Sequence, residues 1–205
     1  MPTRTVFDTP YTAFVRKVEE AFFAAMAQGY AMEGKLRPLG IFPGWKRLVV
    51  VHKRFRITDE WSDDGGRTFI EIHDPPGESF PVWVMRYAGH YEDWAIPILK
   101  AALADRYQAS EFCGGRGPKR YAPAYDQRVH GIVNEINASG GRKDISPSWD
   151  GCVYGSFDFY TNKCSGGFER FSGKEEIYTE HFPHLSKTRH ERCGGSHDYW
   201  GGMLI

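Results

Sequence analysis

The sequence runs through one pattern twice. The first pass holds Phe55-Arg-Ile-Thr-Asp59, the pair Gly65-Gly66, Phe69 with Glu71, and Trp83-Val-Met-Arg-Tyr87-Ala-Gly89. The second holds Phe157-Asp-Phe-Tyr160, the pair Gly166-Gly167, Phe171 and Gly173 with Glu175, and Tyr199-Trp-Gly-Gly202. Each pass reads as an aromatic strand, a Gly-Gly turn, a hairpin carrying an aromatic and a glutamate, and an aromatic strand that ends in glycine. An internal repeat constrains architecture more than any single motif does. The passes fall within 46–110 and 119–205 of one domain over 1–205, and the spacing after the Gly-Gly pair differs between them by about one residue. The expected fold is α+β, with two pseudo-repeated antiparallel half-sheets covered by two helices.

The helices are read from periodicity. Thr9-Pro10 supplies an N-cap followed by a proline whose missing N–H costs nothing in a first turn. Phe14, Val18, Phe22, Ala25 and Met26 then recur at helical spacing before Gly29, which predicts a helix over about 11–28. A second is expected over about 93–107, with Ile98, Leu99, Ala102 and Leu103 on one face and Pro97 in the first turn. Between them, Arg47 to Trp61 reads as one long strand bent near His52-Lys53-Arg54, followed by strands at Thr68–His73 and Phe80–Ala88. Further strands are expected at 129–136, 152–161, 168–171, 175–181 and 197–204.

Composition narrows the function. Lys and Arg number 26 against 26 Asp and Glu, so the chain lacks the cationic excess that binding to phosphate backbones requires, and direct nucleic-acid binding is not expected. No apolar run is long enough to span a bilayer and residues 1–8 form no signal core, so no membrane partner is expected. Cys113, Cys152, Cys164 and Cys193 include no Cys-x2-Cys pair. They read as free thiols of a reducing compartment, which places the chain in the cytoplasm.

Several of these segments, in order, resemble a bacterial family of domains of unknown function, found alone or fused to XRE-type helix-turn-helix regulators. They are Pro81-Val-Trp-Val-Met-Arg-Tyr-Ala-Gly89, Leu99-Lys-Ala-Ala-Leu103, Arg116-Gly-Pro118 with Tyr121, Phe168-Glu-Arg-Phe-Ser-Gly-Lys-Glu-Glu-Ile177 and Tyr199-Trp-Gly-Gly-Met-Leu-Ile205. The resemblance covers roughly 55–205 and implies a compact α+β domain with a link to regulation. It supplies no catalytic residues. Residues 1–45 offer one convincing helix, whereas a helix-turn-helix unit needs two, so a regulatory role would act through ligands or proteins.

Candidate chemistry falls into four groups. Trp83, Tyr87, Tyr160, Tyr199 and Trp200 lie on the repeated strands; large aromatics in a sheet are first of all core, but two aromatic half-sheets can also enclose a cleft for a small planar or cationic ligand. Glu71 and Glu175 hold comparable places in the repeat and would serve as general acid and base if both faced one cleft; alternation can equally put them on a solvated face. His190, Cys193 and His197 bring imidazole and thiolate together in a short segment, a donor set suited to Zn2+, or form a polar loop. Cys113-Gly-Gly-Arg-Gly-Pro-Lys119 can offer Arg116 and backbone N–H groups to an anion, or simply reverse the chain.

The leading expectation is a non-enzymatic domain of regulatory type that binds a small molecule in the aromatic cleft, with Trp83, Tyr87, Tyr160, Tyr199, Trp200 and Arg116 at the ligand. The alternatives are a small hydrolase-like enzyme, using the paired glutamates or a His/Cys-bound zinc, and a protein-binding module.

Overall fold

The computed structural model describes residues 9–29, 31, 37–38, 43–74, 78–122, 156–181 and 190–205. Helix α1 (Pro10–Met26) starts where capping predicts: Thr9 Oγ1 accepts a hydrogen bond from the Thr12 amide at 3.1 Å, and Pro10 opens the first turn. Its buried face is Val18, Ala21, Phe22, Phe23, Ala25 and Met26. A 3-10 turn, Asp93–Ala95, leads into α2 (Ile96–Ala109), which buries Ile98, Leu99, Ala102, Leu103 and Tyr107 and stops at Ser110, a residue in the left-handed region.

The strands are β1 (Arg37–Pro38), β2 (Lys46–His52), β3 (Phe55–Ser62), β4 (Gly65–Asp74), β5 (Glu78–Tyr91), β6 (Arg120–Tyr121), β7 (Ser156–Gly167), β8 (Arg170–His181) and β9 (His190–Met203). They form one antiparallel sheet in the order β1-β2-β3-β4-β5-β9-β8-β7-β6. The segment expected as one bent strand is therefore a hairpin: Lys53 takes φ +55° and His52 pairs with Phe55. The stretches 168–171 and 175–181 belong to a single hairpin, with a turn at Phe168-Glu169 and then an unbroken β8. The strand expected at 129–136 lies outside the described residues.

The two aromatic passes meet through β5 and β9, which pair with Tyr87 opposite Tyr199. Outward from that row the order is β5-β4-β3 on one side and β9-β8-β7 on the other. A half-turn about an axis normal to the sheet at the Tyr87–Tyr199 row exchanges these strands. In register it exchanges Asp59 with Asn162, Thr68 with Glu175, and Gly66 with Gly173. The side chains follow. Tyr87 donates its hydroxyl to Asp59 Oδ1 at 3.4 Å, and Tyr199 donates to Asn162 Oδ1. The spatial correspondence differs from the one suggested by the glycine pairs, because Gly65-Gly66 follows its turn and Gly166-Gly167 precedes its own.

Strand alternation divides the side chains between two faces. One face carries Phe55, Ile57, Ile70, Trp83, Met85, Tyr199, Phe171, Ile177 and Tyr160, all buried, in the same core cluster as the apolar residues of α1 and α2. Trp83 is central. It is fully buried, stacks on Phe168 with ring centroids 5.1 Å apart, meets Phe22 of α1 at 5.2 Å, and donates Nε1–H to the Phe168 carbonyl at 3.0 Å. Replacing a buried tryptophan with alanine removes its transfer energy and leaves a cavity, so Trp83→Ala should cost about 3–5 kcal/mol, read by urea unfolding. Trp83→Phe should cost less while still orphaning the Phe168 carbonyl.

Candidate functional site

The middle of the buried face is polar. Asp59 on β3, Thr68 on β4, Asn162 on β7, Glu175 on β8 and His197 on β9 all sit at inward positions and are buried. Onto them folds the segment 111–119, which follows α2. Gly114 and Gly115 both take φ +69°; a Cβ at Gly114 would fall 2.5 Å from the Tyr199 ring, and one at Gly115 would fall 2.9 Å from Met85 Sδ. Glycine meets both the left-handed backbone and the close approach. The carbonyls of the segment are held by side chains: Asn162 Nδ2 donates to Cys113 at 3.0 Å and to Gly117 at 2.7 Å, and the Tyr107 hydroxyl donates to Gly115 at 2.9 Å.

This loop delivers Arg116 to the sheet. Its Nε donates to Glu175 Oε1 at 2.9 Å, Nη2 donates to the same oxygen, and the guanidinium carbon lies 4.8 Å from the centre of the Tyr87 ring. Tyr160 donates its hydroxyl to Glu175 Oε2 at 2.6 Å, and the Gly117 amide donates to the Tyr160 oxygen at 2.9 Å. His197 Nδ1 stands 3.2 Å from Glu175 Oε1. Burial pushes the Glu175 carboxyl up, but the charge of Arg116 and the hydrogen bonds from His197 and Arg116 outweigh it and hold the group down at about 2. His197 is pushed down chiefly by its burial, against the pull of Glu175.

Beside the ion pair lies a cavity of about 60 Å³, bordered on its polar side by Asp59, Thr68, Tyr87, Arg116 and His197 and on its apolar side by Met26, Met85, Leu99 and Leu103, with Trp61 and Tyr107 among its walls. That is room for about four to six water-sized groups. Asp59 accepts from the Thr68 hydroxyl at 2.7 Å and from Tyr87, both at Oδ1. Burial dominates its acidity: against the Thr68 hydrogen bond and the charge of Arg116, the carboxyl is pushed up to about 6. Carboxyls raised in this way by burial beside a cavity recur at functional sites and in structural networks alike.

The residues singled out from sequence divide accordingly. Tyr87 and Arg116 border the cavity. Trp83, Tyr160 and Tyr199 share its face of the sheet but belong to the surrounding core and hydrogen-bond framework. Trp200 is about half exposed and alternates to the opposite face. Glu71 pairs with Arg56 and follows the inward Ile70, so it too lies on the face opposite Glu175; the two glutamates do not meet. A register shift at Ile177/Tyr178 sets Cys193 opposite Tyr178 while His197 stands opposite Glu175, on opposite faces of β9, and Cys193 is exposed while His197 is buried. The side chain of His190 lies outside the described residues. Among those described, no group of three or more His, Cys, Asp or Glu residues is placed to hold a metal ion.

Asp59, Thr68, Asn162 and Tyr107 were not singled out. The available signal was parity: Phe55, Ile57, Asp59 and Trp61 are alternate residues of one strand, so a carboxylate stands at an apolar position. No protein-family model, curated protein or solved structure matches the chain. Among the described residues, no helix is long and apolar enough to cross a membrane.

Two measurements probe the site. Glu175→Gln strands a buried guanidinium and should cost about 3–5 kcal/mol in urea unfolding, whereas Arg116→Met combined with Glu175→Gln should cost clearly less than the sum of the single changes. For Asp59, a folded-state value near 6 against 3.8 means that the folded chain binds the extra proton between them, so this group subtracts stability as pH rises through that window. Asp59→Asn removes that loss. Its stability relative to the parent should grow between about pH 4 and pH 7, by up to about 3 kcal/mol, in paired thermal melts across pH.

Proposed function

We propose that the chain is a non-enzymatic binding domain of regulatory type that holds a small molecule in the cavity beside Arg116. One observation carries this reading: an apolar wall of Leu99, Leu103, Met26 and Met85 faces a buried, hydrogen-bonded polar wall containing Asp59, Tyr87 and Arg116. Apolar enclosure with a few fixed polar groups is the general form of a small-ligand site. The location supports a regulatory role, because Asp59 and Tyr87 come from the first aromatic pass, His197 from the second and Arg116 from the loop between them. An occupant would add contacts across all three. The exchange of Tyr87 and Asp59 with Tyr199 and Asn162 supports reading the two passes as a duplicated unit, one copy of which keeps the carboxylate at the cavity.

An enzymatic reading built on Glu71 and Glu175 would need both on one face, and a zinc site using Cys193 and His197 would need the same. Neither arrangement is present. A thermal-shift screen of small metabolites tests the binding reading. At least one compound should raise the melting temperature by several degrees at concentrations well above its Kd. The shift should vanish in Leu103→Phe, which fills the cavity at a cost of about 1–3 kcal/mol. A broad panel without a hit, or hits indifferent to Leu103→Phe, overturns the proposal. Trp83→Ala is unsuited to this test, since it reports on the core.

A further inference from the structure

The charges around the cavity do not balance. Arg116 is matched by Glu175, which takes both its Nε and Nη2 hydrogen bonds. His197 is buried against the same carboxylate. Glu60, the chain neighbour of Asp59, points to the other face and is held there by Arg47 and Arg67. Among the described residues, Asp59 is left without an ion-pair partner of its own. It is 7% exposed, its hydrogen bonds from Thr68 and Tyr87 both fall on Oδ1, and it borders the cavity together with Trp61 and Tyr107.

We propose, given the reading of this cavity as a ligand site, that its occupant is a small organic ammonium ion, with the charged nitrogen at Asp59 and the hydrocarbon against Leu99 and Leu103. A cation supplies the charge that the buried carboxylate lacks, and aromatic rings beside it add to the attraction. An anion would be set against Asp59 while finding Arg116 already paired. A neutral amide would leave the carboxylate uncompensated in a poorly solvated place. The volume limits the hydrocarbon to a short chain.

The probes are n-butylammonium, propionate and propionamide, of similar size, added to the full chain and followed by ligand-observed NMR and calorimetric titration. At about pH 8, n-butylammonium should bind at least about tenfold more tightly than either of the others, a difference of about 1.4 kcal/mol. At about pH 5 its affinity should fall about tenfold as Asp59 takes up a proton, in the same direction as any charging of His197, while Glu175 and Arg116 keep their charges. Asp59→Asn should abolish the preference with the melting temperature at or above that of the parent. If that variant does not fold, Leu103→Phe, which keeps every charge and fills the space, should abolish binding instead.

Tighter binding of propionate or propionamide that Leu103→Phe removes overturns the ammonium assignment and leaves the cavity as a ligand site. Ammonium binding unchanged in Asp59→Asn, or in Leu103→Phe, also overturns it. Failure of all three probes to bind the parent chain overturns the ammonium assignment, and the metabolite screen then decides the binding reading separately.

Discussion

The pairing of Arg116 with Glu175 is the interaction on which the polar centre of this molecule depends. Burying two opposite charges is costly, and the return comes only when their remaining hydrogen-bonding capacity is met. Here Glu175 receives Arg116 and Tyr160, with His197 alongside, while the loop that carries Arg116 is tied to the sheet by Asn162 and Tyr107. The ion pair thus draws a glycine-rich segment, whose own backbone offers few regular hydrogen bonds, onto the strands. That placement brings Arg116, paired with Glu175, to the border of the cavity that Asp59 also borders.

A second carboxylate shows how much depends on which face a residue occupies. Glu60, like Glu175, has almost no solvent-exposed surface, yet its two arginines, Arg47 and Arg67, come from the adjacent strands and are themselves substantially exposed. It lies in a cross-strand ladder on the outer face. Its neighbour Asp59 turns inward and meets hydroxyls. Two consecutive acids in one strand therefore serve different ends: one is neutralised by local pairing, and the other remains available to a cavity.

Much of the fold was legible in local pattern. The Thr9-Pro10 cap and the spacing of Phe14, Val18 and Phe22 marked α1, and alternation marked most of the strands. The turn at Lys53 was hidden because His52-Lys53-Arg54 carries no glycine or asparagine to announce a left-handed residue. The site was less legible. Arg116 stood out among its glycines, but its partner Glu175 lies on a distant strand, and no local rule identifies a pairing across the sheet. Matching the halves by their Gly-Gly pairs set Glu71 beside Glu175, whereas the hydrogen-bond register relates Thr68 to Glu175 and Asp59 to Asn162. Inward parity of polar residues was the better guide, since it depends on alternation within a strand.

The junction of β5 with β9 has a kinetic consequence. The hairpins β3-β4-β5 and β7-β8-β9 close between strands that follow one another in sequence, with short loop-closure distances for most of their pairs. Tyr87 and Tyr199, in contrast, lie on the last strand of the first pass and the last strand of the second, far apart in sequence. The cavity draws on both hairpins and on Arg116 between them, so neither hairpin can assemble it alone during synthesis or refolding. Its appearance marks the completion of long-range pairing, and a molecule that bound there would select chains that had finished folding.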